Sequence, residues 1–380
     1  MKTFVDLVVA GGGPAGLAAA IQAAQAGSDV IVMEPRKGII DKACGEGIMP
    51  GGVIALEQLG IRPHGVPFIG VEYLDGSDPD LQATGCFPYG AMGLGVRRTV
   101  LHAAMKHRAQ MSGVRFLAAR LTSFEQRRGG VLVDGELHAR WLIGADGLRS
   151  DVRRLLGVEQ RSRAPARLGI RRHYAMRPWS DHVQVYFGDE GEAYVTPVDN
   201  DLVGVAFLFE ARHDGQLESY RFDDLLAGFP LLAQRVAGAP IASRVRGGGP
   251  FEKRVERRVV GNVLLVGDAA GYIDPLTGEG VALGLATARA AVTSLIEDNP
   301  SAYEARYRNV TRRYFAITSA LLAIARRRRL QRPLLRLARA WPAAFDGALE
   351  MLGHIPTNDD ADLEHPWPSD DVTIGLDRLL

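Results

Sequence analysis

The sequence predicts an α/β fold: a Rossmann-like dinucleotide-binding domain with an inserted antiparallel-sheet substrate domain and a helical C-terminal region. Three observations predict it. A βαβ pattern carrying G-x-G-x-x-G opens the chain, two later strand ends return to glycine-rich corners, and the stretches between them alternate apolar and polar residues at strand period.

The opening unit reads as an apolar strand from Phe4 to Ala10, a turn, an alanine-rich helix from Pro14 to Ala26 and a second strand from Asp29 to Met33. Gly11 permits the turn, Gly13 lets a pyrophosphate approach the backbone and Gly16 lets helix and strand pack closely. Pro14 and Ala15 begin the helix, whose free N–H groups favour an anion. Glu34 closes the unit where an acidic side chain accepts hydrogen bonds from both hydroxyls of an adenosine ribose, followed by Pro35 and Arg36.

Composition bounds the class. The chain has 380 residues, 47% hydrophobic and 7% aromatic, with a formal net charge of +1, enough for a large enzyme and without the basic excess of a nucleic-acid binder. Cys44 and Cys86 build no disulfide framework and cannot hold a [4Fe–4S] cluster, which needs four thiolates. No metal is expected, and His64, His102, His173 and His182 have no motif partners. With no signal peptide before the first strand and no apolar run of about eighteen residues, the expectation is a cytoplasmic protein, soluble or peripheral at a membrane.

The first return is "GADGLRS", residues 144–150, where a buried strand ends, Asp146-Gly147 turns and Ser150 caps a helix whose arginines are expected on its outer face. The second is "VGDAAG" at 266–271 followed by "DPLTGEG" at 274–280, with Gly267-Asp268 at a strand end and a helix beginning near Gly280. A third glycine cluster, "CGEGIMPGG" at 44–52, follows the opening unit.

These ordered motifs resemble the glutathione-reductase-type FAD fold, in particular the family of p-hydroxybenzoate hydroxylase and the geranylgeranyl reductases. The resemblance covers about residues 4–300 and makes the nucleotide unit a Rossmann-like FAD-binding domain. It implies that Glu34 binds the adenosine ribose, Asp268 the ribityl chain, and that Asp146-Gly147 lies near the pyrophosphate and a nicotinamide route. Pro275, Gly278, Glu279 and Gly280 would sit at the flavin ring, where helix N–H groups stabilise negative charge on the reduced ring. Gly45 and Gly47 would let the loop cover the flavin. Cys44 and Glu46 are its reactive side chains, with Cys44 either at the reaction or simply filling space. Arg98, rather than Arg97, would meet the FAD. Arg36 and Lys42 are candidates for phosphate, Lys42 more readily for solvent.

The FAD-binding domain is expected to be discontinuous, from 1–61, 93–159 and 256–300, with substrate-binding sheet segments at 62–92 and 160–255 and a C-terminal region at 301–380. "HVQVYFGDEGEAYVTPVDNDLVGVAFLFE", 182–210, reads as three antiparallel strands. The resemblance makes their sheet the roof of the flavin and the substrate pocket, with Tyr186, Tyr194 and Phe207 as candidate walls and Pro197 near the flavin, each of them otherwise plain core. The last eighty residues pair basic amphipathic helices, with Arg326–Arg329 in a run, and a tail of seven acids between Asp359 and Asp377. They are read either as a helical cap with solvated arginines or as a surface for an anionic membrane.

The resemblance implies an FAD-dependent monooxygenase acting on a lipophilic aromatic or polyketide-like small molecule through a flavin C4a-hydroperoxide, with molecular oxygen as co-substrate. The alternative is a geranylgeranyl-reductase-like flavoprotein reducing prenyl C=C bonds, which the spelling "CGEG" favours. Against it, "EAYVTPV" at 192–198 lacks the tryptophan of the reductases' Y-x-W-x-F-P stretch. The halogenase W-x-W-x-I-P signature is absent. One dinucleotide fingerprint leaves NAD(P)H as a transient visitor, or a separate reductase as the electron source.

Overall fold

A computed structural model describes residues 4–162, 164–211 and 217–353, so the acidic tail lies outside the described residues. Strand β1 (Phe4–Ala10), helix α1 (Pro14–Gln25) and β2 (Val30–Met33) form the opening unit, and α2 (Pro50–Gln58) follows the glycine-rich loop. Proline at N1 starts both helices, where its missing N–H has no partner to lose. The first insertion gives β3 (Gly70–Asp75) and β4 (Gln82–Cys86). After it come α3 (Arg98–Met111), β5 (Leu137–Gly144) and α4 (Asp151–Leu156). The second insertion gives β6 (Arg167–Ala175), β7 (His182–Gly188), β8 (Gly191–Asp199) and β9 (Leu202–Glu210). Helices α5 (Phe222–Ala227) and α6 (Pro230–Val236) follow them. The chain then returns through β10 (Val263–Leu265) to α7 (Gly280–Ile296) and ends in α8 (Ala302–Ala325), α9 (Arg328–Ala340) and α10 (Pro342–Gly353).

The nucleotide sheet has eight strands among the described residues. Its centre runs β10, β5, β1, β2, all parallel. Because the strands are parallel and in register, Ala10, Gly144 and Leu265 are cross-strand neighbours. The three motifs, remote in sequence, therefore leave the sheet side by side at its C-terminal edge, where ligands of open α/β sheets bind. Both faces of these strands are covered, and Val8, Val9, Leu142, Ile143, Leu264 and Leu265 are inaccessible to solvent. Small side chains let α1 and α7 approach each other, with Gly284 against Ala15.

The inserted strands form a seven-stranded sheet in which β6, β9, β8, β7, β3 and β4 lie in that order. Neighbours are antiparallel except for the parallel pair of β7 and β3. Its outer face packs on α5 and α6, and its inner face covers a cavity over the nucleotide sheet's edge. A buried ion triad ties the two parts. Arg167 on β6 bridges Glu192 on β8 at 2.6 Å and Asp274 of the third motif at 3.0 Å.

Helix α8 runs along α7 and fixes the third motif with one face of tyrosines. The hydroxyls of Tyr303, Tyr307 and Tyr314 donate to the carbonyls of Leu265, Ala270 and Asp274. Helices α9 and α10 fold back onto β4, and the Asp346 carboxylate accepts from the backbone N–H of Cys86 at 2.9 Å. No helix among the described residues is long and apolar enough to cross a membrane.

Candidate active site

Between the C-terminal edge of the nucleotide sheet and the inner face of the inserted sheet lies a cavity of about 650 Å³. Its nucleotide end is built from the first motif. Gly11 has φ +112°, and a Cβ there would lie 2.5 Å from the carbonyl oxygen of Ala145. A Cβ on Gly16 would lie 1.9 Å from that of Gly11, so only glycine lets helix and turn close up. A Cβ on Gly13, by contrast, would meet nothing within 4 Å, which leaves room for a ligand against the backbone.

His102 of α3 holds this turn from behind. It is 2% exposed, its Nδ1 accepts from the N–H of Ile40 at 3.2 Å and its Nε2 lies 3.0 Å from the carbonyl of Gly12. Those contacts fix the neutral ring with the proton on Nε2. Its importance went unread in the sequence, although His102 sits one turn after Arg98 on the buried face of α3 with Leu101 and Met105. That spacing was the available signal.

Glu34, Pro35 and Arg36 line the same end. The Arg36 guanidinium forks onto the Glu34 carboxylate at 2.7 and 3.0 Å, and the N–H of Gly12 donates to the same carboxylate at 3.0 Å. Arg36 is thereby turned from the phosphate position expected of it. Burial opposes ionisation of Glu34, but its bonds with Arg36 and Gly12 win and hold its pKa below the ordinary value.

In the second motif, Asp146 and Gly147 reach the cavity, but the Asp146 carboxylate serves α4. It accepts from Ser150 Oγ at 2.5 Å and from the N–H groups of Asp151 and Val152. Ser150 caps the helix as expected, accepting from the N–H of Arg153. The basic outer face is only half there. Arg154 is exposed, whereas Arg153 is 1% exposed and donates to the carbonyls of Leu148 and Ala269, joining the second motif to the third.

Asp268 follows Gly267 at the end of β10 and pairs with Lys42 at 3.2 Å across the cavity. Lys42 is thus a site residue rather than a free loop charge. Pro275 and Gly278 belong to the turn that leads through Glu279 into α7, whose first residue, Gly280, opens its N–H groups toward the cavity. Arg98 is 4% exposed, and its Nη1 has no hydrogen-bond partner among the described residues.

The loop from Asp41 to Gly47 forms one wall. Glu46 is held at φ +62°, and both carboxylate oxygens are committed: Oε1 accepts from the N–H of Arg98 at 2.8 Å and Oε2 meets His173 Nε2 at 2.5 Å. Arg171 completes the cluster, with Asp41 at 2.6 Å, Glu46 at 3.4 Å and His173 Nδ1 at 3.1 Å. A guanidinium only donates, so His173 Nδ1 accepts and Nε2–H points to Glu46. The catalytic expectation for Glu46 is corrected accordingly: it positions the loop and the start of α3. Thr196 Oγ1 ties the loop to β8 by donating to the carbonyl of Gly45 at 2.7 Å. Cys44 is half-buried beside this cluster and lines the cavity. Burial and the nearby Glu46 push its thiol up, while Arg98 and Arg171 moderate the shift.

The far end of the cavity is apolar. Val71, Val185, Tyr194, Ala206 and Leu208 line it from the inserted sheet, and Leu349 from α10. Tyr194 faces the cavity, its hydroxyl donating to the carbonyl of Leu276 at 3.0 Å. Tyr186 and Phe207 do not. They share a cross-strand rank through Ala193 and point to the outer face, where Phe207 packs on Phe222 and Phe229 at centroid distances of 4.8 and 5.4 Å. Pro197 also misses the cavity, and its carbonyl packs against Gly95. Adjacent residues of a strand face opposite sides, so with Tyr194, Val185 and Ala206 on the cavity wall the next rank of Tyr186, Ala193 and Phe207 faces away.

The site fits a dinucleotide with a flat ring at one end. Gly13 leaves space at the anion position, the Nη1 of the buried Arg98 has no hydrogen-bond partner among the described residues, and the N-terminus of α7 lines the cavity. These features define a flavoprotein. The chain belongs to the FAD binding domain family, whose model matches residues 4–306. It is similar to menaquinone reductase of Mycolicibacterium smegmatis, 30% identical over 406 residues covering 95% of this chain and 94% of that one. It is also similar to digeranylgeranylglycerophospholipid reductase 1 of Methanopyrus kandleri, 34% identical over 320 residues covering 78% and 83%. Among solved structures, the flavin-dependent brominase Bmp2 matches with a TM-score of 0.75 at 18% identity over 92% of this chain and 94% of that one. The probable FAD-dependent monooxygenase pqsL of Pseudomonas aeruginosa matches with 0.66 at 19% over 92% and 97%. At these identities the two structures share the fold. The chain is an FAD-dependent oxidoreductase in its family relationships.

Proposed function

We propose that the protein is an FAD-dependent reductase that saturates a C=C bond in the polyprenyl chain of a lipid. The observation that carries this reading is the apolar far end of the cavity, with Val71, Val185, Ala206, Leu208 and Leu349 on its walls, in the same cavity that Cys44 lines. Such a slot suits a hydrocarbon chain and excludes water. Kinship along nearly the whole chain with enzymes named for menaquinone and digeranylgeranyl lipids supports the same substrate class. This reading displaces hydroxylation of an aromatic substrate as the leading one, because the monooxygenase and halogenase resemblances are of fold.

Glu34, Arg98, Asp268 and the backbone of Gly13 and Gly280 would hold the FAD, which when reduced supplies a hydride equivalent. Saturating a C=C bond takes that hydride and one proton. Cys44 is the proton donor: burial keeps the thiol protonated, and the charges of Arg98 and Arg171 favour the thiolate left behind until water reprotonates it. Glu46, His173 and Arg171 keep the Cys44 loop in place. The electrons come from reduced nicotinamide visiting the cleft or from a separate reductase. The test is to incubate reduced holoprotein with detergent-dispersed menaquinone or digeranylgeranyl lipid and weigh the product. A gain of two hydrogens that persists after any hydroquinone has been reoxidised to the quinone supports the reading; an added oxygen atom overturns it in favour of hydroxylation.

A further inference from the structure

We propose that α9, with Trp341 at its end, is a docking surface for a bilayer containing anionic phospholipid. The helix is amphipathic in an unusual sense: its solvent side is itself divided. Gln331 and Leu335 are buried, Leu335 packing with Leu81 and Ala83 beside β4, so the helix is anchored by its inner face. Two arginines strap one flank down. Arg332 pairs with Asp75 at 2.8 Å, and Arg339 donates to the carbonyl of Asp80 at 2.6 Å. On the other flank Leu330, Pro333, Leu337 and Trp341 follow one another at helical spacing. The Leu330, Leu337 and Trp341 side chains are 41%, 50% and 63% exposed. Along the crest between the flanks stand Arg329 and Arg336, two turns apart, exposed and without an acidic partner among the described residues.

An exposed apolar stripe ending in tryptophan and bordered by arginines is the pattern of a helix lying in a membrane interface. The apolar flank favours acyl chains and the crest favours phosphate headgroups. Charge complementarity selects an anionic surface over a neutral one. Helix α10 begins directly after Trp341, packs Phe345 on Tyr73 and sets Leu349 in the cavity wall. One helix pair therefore connects the docking stripe with the apolar end of the cavity, the side from which a lipid would enter. That delivery role rests on the lipid reading of the function; the docking does not.

The test uses the full-length, FAD-loaded protein in sedimentation with vesicles of phosphatidylcholine alone or mixed with phosphatidylglycerol. Binding is expected only to the anionic vesicles, and weaker as salt rises. Arg329→Ser with Arg336→Ser should weaken binding about 30-fold, from a factor of about 5 for each arginine near an anionic surface. Leu337→Ser with Trp341→Ser should abolish the part that survives high salt. Unchanged FAD content and circular dichroism would establish that these variants fold. No binding to anionic vesicles, or binding indifferent to both pairs, overturns the proposal. So does binding that appears only when residues 354–380 are removed, since the acidic tail would then be the occupant. Vesicle binding without reduction of dispersed lipid overturns the functional reading alone, and reduction without vesicle binding overturns the docking alone.

Discussion

Lowering the pH should loosen the nucleotide turn through His102. Burial, with the positive charge of Arg98 one turn away, pushes its pKa from 6.5 down to about 4. Lys106 adds to the repulsion, whereas the Gly12 carbonyl and Glu34 oppose it. The folded protein thus prefers the neutral ring. The stability this provides is complete above the unfolded value of 6.5 and is lost as pH falls toward 4, because the unfolded chain binds the proton first. Those two values give a loss of about 2 kcal/mol at about pH 5 relative to neutral pH. The wild-type profile alone conceals this. Burial, aided by Glu192 and only partly opposed by Arg167, pushes Asp274 up to about 6, and its contribution runs the other way. The informative quantity is the difference between wild type and His102→Gln, whose amide can donate to Gly12 and accept from Ile40 without titrating. Urea unfolding of both proteins, saturated with FAD, should show wild type losing about 2 kcal/mol against the variant between neutral pH and about pH 5. Parallel profiles would refute the role given to His102.

The other predictions concern the cavity. Asp268→Ala should yield protein largely free of flavin, leaving Lys42 unpaired, and a normally yellow variant would show that Asp268 does not hold the cofactor. Cys44→Ser should keep the flavin and lose product formation, while unchanged kinetics would return Cys44 to the role of a packing thiol. Phe207→Ala should cost about 3–5 kcal/mol of stability with KM little changed, as befits a core aromatic on the outer face. Leu208→Trp, one residue along, should instead raise KM for long-chain lipids by filling the cavity. Interchanged outcomes for the last pair would mean that the sheet faces have been assigned the wrong way round.

The nucleotide half of the site was legible because each glycine there answers a local requirement that its own neighbours spell out. The turn at Gly11, the close contact at Gly16 and the cap at Ser150 follow from a few consecutive residues. The packing partners of buried charges were not legible. Arg153, Arg171 and His173 carry ordinary polar letters, and only tertiary structure places them against Ala269, Asp41 and Glu46. The same holds for Arg36, since a guanidinium two residues from Glu34 can face either the phosphate or the acid, and the geometry of the chain turn decides.

The wall of the substrate cavity failed for a subtler reason. The Asp189-Glu190 turn pairs Gly188 with Gly191, and counting outward sets Tyr186 opposite Ala193 and Val185 opposite Tyr194. That register alone separates Tyr186 from Tyr194. The same count from the Asn200-Asp201 turn, which pairs Asp199 with Leu202, would place Phe207 opposite Tyr194. A register shift between Pro197 and Asp199 moves Phe207 to Ala193 instead, and so to the outer face. Proline within a strand is where such bulges gather, because it cannot donate to the ladder. Pro197, expected near the flavin, is therefore a sign of where the face changes. The cofactor follows from where three strands end, but the substrate follows from which side of one strand a residue takes, and a single extra residue reverses that.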